Sequence, residues 1–402
     1  MLFRSPFDPW TNYPSGTNAE QFGTLYDQIV SSFILLTSFG DPSPEYAGLI
    51  MLIAAPVFVT VSVIPAYLIA ARIAGRGPAL AGMVVLALLP GTILQYSLAG
   101  FYDHQAAEVF FQTLGVFGFV IALSVAQREQ PVWELVADRD FDALRRPLTY
   151  SVAAGVAAAL YMWAWPPGVL LVGFTGIFFA VKITSDVYHK QSPEPVAFVG
   201  AVSMIVTGLL MFIPLNSFSI GSATRYTLLQ VLLPLGVGIG SIFLAVLARQ
   251  WEKRNINISL FPVVVVGLLV VLIGIFSSFV QQLTSAVLNR VGFSVNAGTR
   301  TIGEAQPFLA EGSAFNVLYS ECGLAFFAAL AAVLVVLGRP LVASDDVRKT
   351  GYVVGSLATV GLIYLATPVF DTIAVFFGTE WQVIGLIIAS GLLVGATFLH
   401  RY

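Results

Sequence analysis

Residues 106–125 read AAEVFFQTLGVFGFVIALSV, and after Glu108 no charged residue appears until Arg128. A helix needs about 20 apolar residues, at 1.5 Å rise each, to cross the ~30 Å hydrocarbon layer of a bilayer. This stretch has that length and that composition. Comparable runs lie near 46–71, 78–97, 149–163, 168–183, 196–215, 230–248, 259–280, 316–337, 352–367 and 382–399. The expected fold is therefore all-α, a polytopic membrane helix bundle of about 11 transmembrane helices. Residues 46–399 form the bundle, and a long external loop at 281–315 lies within it. Residues 1–45 are expected to form an external segment. In it, Leu25–Phe39 is apolar but short and carries Asp27, Gln28, Ser31 and Ser32, so it reads as a helix lying on the membrane surface or against the bundle.

Composition agrees. The 402 residues are 57% hydrophobic and 10% charged, with mean hydropathy +0.86, whereas a soluble domain carries roughly 25% charged residues. Net charge is -3 and Lys and Arg occur in small groups between spans, which argues against nucleic acid as a partner. The single cysteine, Cys322, excludes an intrachain disulfide or a Cys-based metal site.

Basic residues assign the sides. Cytoplasmic loops collect Lys and Arg. One set of alternate loops holds 15 of the 19 basic residues, and the other holds only Arg4, Arg225, Arg290 and Arg300. The sparse set is outward. It includes the N-terminus, the 98–105 loop, the Trp165-Pro166-Pro167-Gly168 turn and the 281–315 loop. An outward N-terminus without an apolar signal segment leads to the expectation that one span precedes this chain.

Charged residues at a membrane boundary are costly unless they face water, protein or ligand, so the outward acids are the candidates for chemistry. Gly100-Phe101-Tyr102-Asp103-His104-Gln105 sits just before an apolar helix. Asp103 can be that helix's N-cap. Alternatively, a carboxylate, an imidazole and an amide oxygen in this order can hold a divalent cation. Gly298-Thr299-Arg300-Thr301-Ile302-Gly303-Glu304 lies in a loop long enough to be functional or disordered, where Glu304 could equally be a solvated charge. Phe7-Asp8-Pro9-Trp10 through Tyr13-Pro14-Ser15-Gly16 is rich in turn formers and aromatics.

Together, in this order and on one side, these segments resemble the catalytic subunit of archaeal-type oligosaccharyltransferase, a multispan lipid-sugar glycosyltransferase. Thr301-Ile302-Gly303-Glu304 is similar to the family's TIxE motif, and Gly100–Gln105 to its second DxD-type motif. Leu88-Leu89-Pro90-Gly91 and Trp163-Ala164-Trp165 fall where the family has similar sequences. The resemblance implies transfer of an oligosaccharide from a lipid (dolichyl) phosphate carrier to the asparagine of Asn-X-Ser/Thr sequons. It implies Asp103 and Glu304 as catalytic residues, and Mg2+ or Mn2+ held by Asp103, Gln105 and Glu304. His104 would serve the lipid phosphate, and Thr301, Ile302 and Glu304 the acceptor polypeptide. The implied partners are a lipid-linked oligosaccharide, the acceptor polypeptide and membrane lipid. The implied location is the cell membrane, with the site loops on the external face.

Two departures stand out. Gln105 replaces an acidic residue or histidine, which weakens it as a metal ligand. The Tyr13-Pro14-Ser15-Gly16 run fits a late part of the first external loop, and no WWD sequence occurs. The first-motif carboxylate, the first span and the C-terminal soluble domain are thus expected to be absent, as in a chain truncated at both ends. A different lipid-sugar transferase, a flippase or transporter, and an inactive fragment are the rival readings. A transporter would place its charges near the midplane of broken helices, whereas the acids here lie in loops.

Overall fold

The computed structural model describes residues 7–9, 13–18, 23–128, 134–135, 138–215, 217–220, 225–275 and 319–325, together with isolated positions beyond. The expected spans at 316–337, 352–367 and 382–399 lie, apart from those few positions, outside the described residues. So do the 281–315 loop and the last residues of 259–280.

The chain divides into two compact units. One comprises residues 1–88 and 92–282, and the other residues 89–91 and 283–402. The first unit is almost wholly helical. A two-residue antiparallel ribbon, β1 (Phe7–Asp8) with β2 (Thr17–Asn18), pairs Phe7 with Asn18. This is the only strand pair among the described residues, in a segment expected to be a loop. Helix α1 (Leu25–Thr37) follows, as expected for the short apolar stretch. At 13 residues it is marginal in isolation, so packing must hold it. Tyr26, Val30 and Ile34 form a buried stripe against Ala54, Ala107, Phe111, Tyr161 and Ala164. The helix lies against the bundle.

Helix α2 (Pro44–Ala74) begins with Ser43 capping the Tyr46 N–H and with proline at its first position, where no N–H is needed. The expected span at 78–97 is not one helix. Helix α3 (Arg76–Ala87) stops, and α4 (Thr92–Tyr96) is a separate short turn. The cause is local: Pro90 has no amide hydrogen to donate, and Gly91 turns the chain with φ +82°.

Helices α5 (Gln105–Ala126), α6 (Phe141–Ala164), α7 (Val169–Tyr188), α8 (Glu194–Leu210), α9 (Leu228–Lys253) and α10 (Phe261–Ile275) complete the unit. Five helical segments among the described residues are long and apolar enough to cross a membrane: Pro44–Ala74, Gln105–Ala126, Phe141–Ala164, Pro166–Tyr188 and Leu228–Lys253.

Small residues bring these helices together, as bilayer-embedded helices require when lipid offers no hydrophobic drive. A methyl group on Gly118 would come within 3.0 Å of the Ala154 Cα, and one on Gly155 within 2.4 Å of the Ser203 carbonyl oxygen. Thr207 Oγ1 also donates to the Gly155 carbonyl at 3.0 Å.

In the second unit, the Leu89–Gly91 turn packs on a helical turn at 319–322. A Cβ at Gly91 would sit 2.8 Å from the Glu321 Cα, so the site tolerates only glycine.

Candidate functional site

Contacts identify the two ends of the bundle in the first unit. At one end, the Tyr226 hydroxyl donates to the Trp163 carbonyl at 2.6 Å, Gly23 abuts the Ala164 carbonyl, and the Tyr102 hydroxyl donates to Asp27 Oδ1 at 3.4 Å. At the other end, Arg249 Nε meets Glu194 Oε1 at 3.2 Å, and Lys182 Nζ meets Asp186 Oδ1 at 2.5 Å. Residues 23–27, 101–104, 163–168 and 226 thus share one end, the grouping expected from the alternation of basic loops.

Asp103 is half-buried at this end, in the link between α4 and α5. Its Oδ1 lies 2.7 Å from His104 Nδ1 and accepts the Gln105 N–H at 3.3 Å. Burial alone would raise its pKa. The His104 hydrogen bond and charge, with the backbone N–H groups of Gln105 and His104, outweigh burial and hold the carboxyl below its ordinary value. Asp103 is therefore ionised at neutral pH. The first residues of α5 reinforce this, because the unpaired N–H groups of a helix start favour negative charge.

His104 occupies the position before the helix and makes no side-chain cap. Asp103, one residue further out, accepts the first N–H of α5, so it is not the N-cap considered from sequence but still serves the helix start, and its carboxylate stays charged and partly exposed.

Thr301, Ile302 and Glu304 lie outside the described residues. Asp103, His104 and Gln105 are consecutive and lie together. Among the described residues no three His, Cys, Asp or Glu side chains converge as a metal centre would require. Asp103 and His104 supply an ionised carboxylate and an imidazole, the donor chemistry of part of a divalent-cation site.

Sequence reading missed Tyr26. Its ring is 5.0 Å from that of Tyr102 and 5.3 Å from that of Phe58. Its hydroxyl is buried and has no hydrogen-bond partner among the described residues. Burial, then the neighbouring Asp27 and Asp103 carboxylates, push this phenol up to about 12. The advance signal was a Tyr-Asp pair opening a short, mostly apolar helix.

Membrane-crossing helices packed through small residues, with a carboxylate held below its ordinary pKa at one end, define a polytopic membrane protein. The family described as oligosaccharyl transferase STT3, N-terminal, matches residues 1–297. The chain is 47% identical over 408 residues to the dolichyl-monophosphooligosaccharide–protein glycotransferase AglB of Haloferax volcanii, covering 99% of this chain and 39% of that protein. It belongs to the STT3 oligosaccharyl transferase family. A second relative, dolichyl-phosphooligosaccharide-protein glycotransferase 3 of Archaeoglobus fulgidus, is 25% identical over 318 residues, covering 75% of this chain and 34% of that protein.

Solved structures of Archaeoglobus fulgidus oligosaccharyltransferase share the fold at 18% identity. AglB in complex with an inhibitory peptide and a dolichol-phosphate superposes with TM-score 0.69, covering 99% of this chain and 49% of that one. A complex with Zn and sulfate gives TM-score 0.60, covering 99% and 47%. The chain thus spans 39% of the Haloferax relative and about half of the solved chains.

Proposed function

We propose that the protein containing this chain transfers an oligosaccharide from a dolichyl phosphate carrier to the asparagine of Asn-X-Ser/Thr sequons. The reaction takes place at the external face of the cell membrane and depends on Mg2+ or Mn2+. The observation that carries this reading is the ionised Asp103 carboxylate at the α5 start. It lies in the segment that resembles the family's second acidic motif, in a chain nearly half identical to a dolichyl-monophosphooligosaccharide–protein glycotransferase. The outward assignment of this end rests on the uneven distribution of Lys and Arg.

Asp103 and Glu304 are the residues that would hold the cation, with Gln105 as a weaker neutral ligand. A bound divalent cation would supply neutralising charge to the departing lipid phosphate. His104 offers a donor to the phosphate oxygens. Thr301, Ile302 and Glu304 seat the acceptor peptide so that its amide nitrogen faces the sugar carbon, and this positioning is itself a large part of the rate. The C–N bond then forms as the carbon–oxygen bond to phosphate breaks, with the electron pair leaving on the phosphate and the amide nitrogen giving up one proton to water.

The test uses the complete protein with a lipid-linked oligosaccharide and an Asn-X-Thr peptide. Asp103→Asn preserves an oxygen for the Gln105 N–H, since asparagine caps about as well as aspartate. Transfer by Asp103→Asn and by Glu304→Gln is expected to fall by about 100-fold or more each. The double variant should be little worse than the weaker single one, because residues acting as one unit are non-additive. Gln105→Glu is expected to lower the half-saturating Mn2+ concentration by adding charge at a ligand position. An active Asp103→Asn enzyme would reduce Asp103 to a helix cap and end this reading.

A further inference from the structure

We propose that α1 is a positioning element for the Asp103 loop, with Tyr102 and Asp27 forming a latch over the buried ring of Tyr26. The assignment rests on the functional reading of Asp103 given above. Tyr102 immediately precedes Asp103, and its hydroxyl reaches 75 residues back to Asp27 Oδ1. Its ring lies on Tyr26, which is 1% exposed and backed by Phe58 of α2. The Gly100 N–H donates to the Leu52 carbonyl of α2 at 2.8 Å, fixing the loop's other side. Of the three residues before Asp103, Tyr102 is thus held by α1 and Gly100 by α2, while Gln105, two residues after it, starts α5. A carboxylate carried on such a loop has its direction set before any ligand arrives.

Among the described residues Asp27 does not join Asp103 and His104 in a group of three that could hold a metal. Its acceptor oxygen serves Tyr102. Partners that orient a ligand without touching the metal typically change metal affinity or activity by about 10- to 100-fold when removed.

The experiment measures two properties of the complete protein carrying Tyr102→Phe, Asp27→Ala or Asp27→Asn. The first is amide hydrogen exchange at residues 101–105 without added metal. The second is the Mn2+ dependence of glycan transfer. Tyr102→Phe and Asp27→Ala should speed exchange in the loop by about tenfold while α5 and α6 exchange as before. The same variants should raise the half-saturating Mn2+ by about tenfold or more, with a smaller effect on the rate at saturation. Asp27→Asn keeps an acceptor oxygen and should restore both readings most of the way. Wild-type exchange and wild-type Mn2+ dependence in Tyr102→Phe would overturn the latch. A lower saturating rate with unchanged Mn2+ dependence would overturn it as well, because that is the mark of a merely structural contact. Full transfer by Asp103→Asn would overturn the functional reading alone, and the exchange measurement would still decide whether the latch exists.

Discussion

The Tyr226 hydroxyl and the Trp163 carbonyl are joined by a 2.6 Å hydrogen bond between residues 63 apart in sequence. A second acceptor, the Met162 carbonyl, lies 3.3 Å away. The last carbonyls of a helix have no partner within it, and here a side chain two residues before α9 satisfies those of Met162 and Trp163 in α6. Tyr226→Phe leaves them unsatisfied and is expected to cost about 1–2 kcal/mol, read as a lower thermal midpoint in detergent.

The same phenol makes stability sensitive to alkali. Burial raises the Tyr226 pKa above its ordinary 10.0. Above that pH the unfolded chain releases the phenolic proton while the folded chain keeps it. Stability contributed by this group is therefore full below pH ~10 and declines as pH rises, by up to about 1.4 kcal/mol per unit. Denaturant midpoints between pH 9 and 12 should fall less steeply for Tyr226→Phe than for wild type.

Gly155 and Gly236 offer a paired test of helix packing. A methyl group at Gly155 collides with the Ser203 backbone, while among the described residues nothing lies within 4 Å of one at Gly236. Gly155→Ala is expected to lose about 1–3 kcal/mol from overpacking. Gly236→Ala should be neutral or slightly stabilising, because alanine is the better helix former. Equal thermal midpoints for the two variants would contradict the α6–α8 contact.

At the opposite end, two ion pairs differ in burial. The Asp186 side chain is 6% exposed and its partner is Lys182, whereas Glu194 and Arg249 are 16% and 35% exposed. Lys182→Met strands a buried carboxylate and is expected to cost on the order of 3 kcal/mol. Arg249→Met should cost less than about 1 kcal/mol. Unfolding of the purified variants should rank them in that order.

Sidedness can be read chemically. In a Cys322→Ser background, cysteines at Ala99 and Asp138, both exposed, should react with an impermeant thiol reagent from opposite sides of the membrane, Ala99 from outside. Labelling of both from one side would contradict the assignment drawn from the basic residues.

Much of this architecture was legible because a bilayer imposes length and apolarity on every crossing helix. The runs at 46–71, 106–125 and 230–248 appear as long helices at those places. Hydropathy overlooked the break at Pro90-Gly91, where backbone chemistry ends an apolar run that composition alone would continue. Asp103 stood out as a charge beside an apolar helix. Its anchoring did not, because Tyr26, Asp27 and Tyr102 meet only through tertiary contacts that no local pattern records. Tyr226 was equally silent, being one tyrosine among 14.

The distance along the chain between Asp27 and Tyr102 also bears on how the protein is made. At about 5–20 residues per second, a ribosome needs roughly 4–15 s to synthesise the 75 residues between them. During that interval α1 has left the translation machinery while the loop it will hold does not yet exist. The apolar stripe of Tyr26, Val30 and Ile34 has only α2 to cover it until α5 and α6 arrive. Biogenesis therefore has an order, in which the end of the bundle carrying Asp103 closes only after the helices beneath it have been inserted.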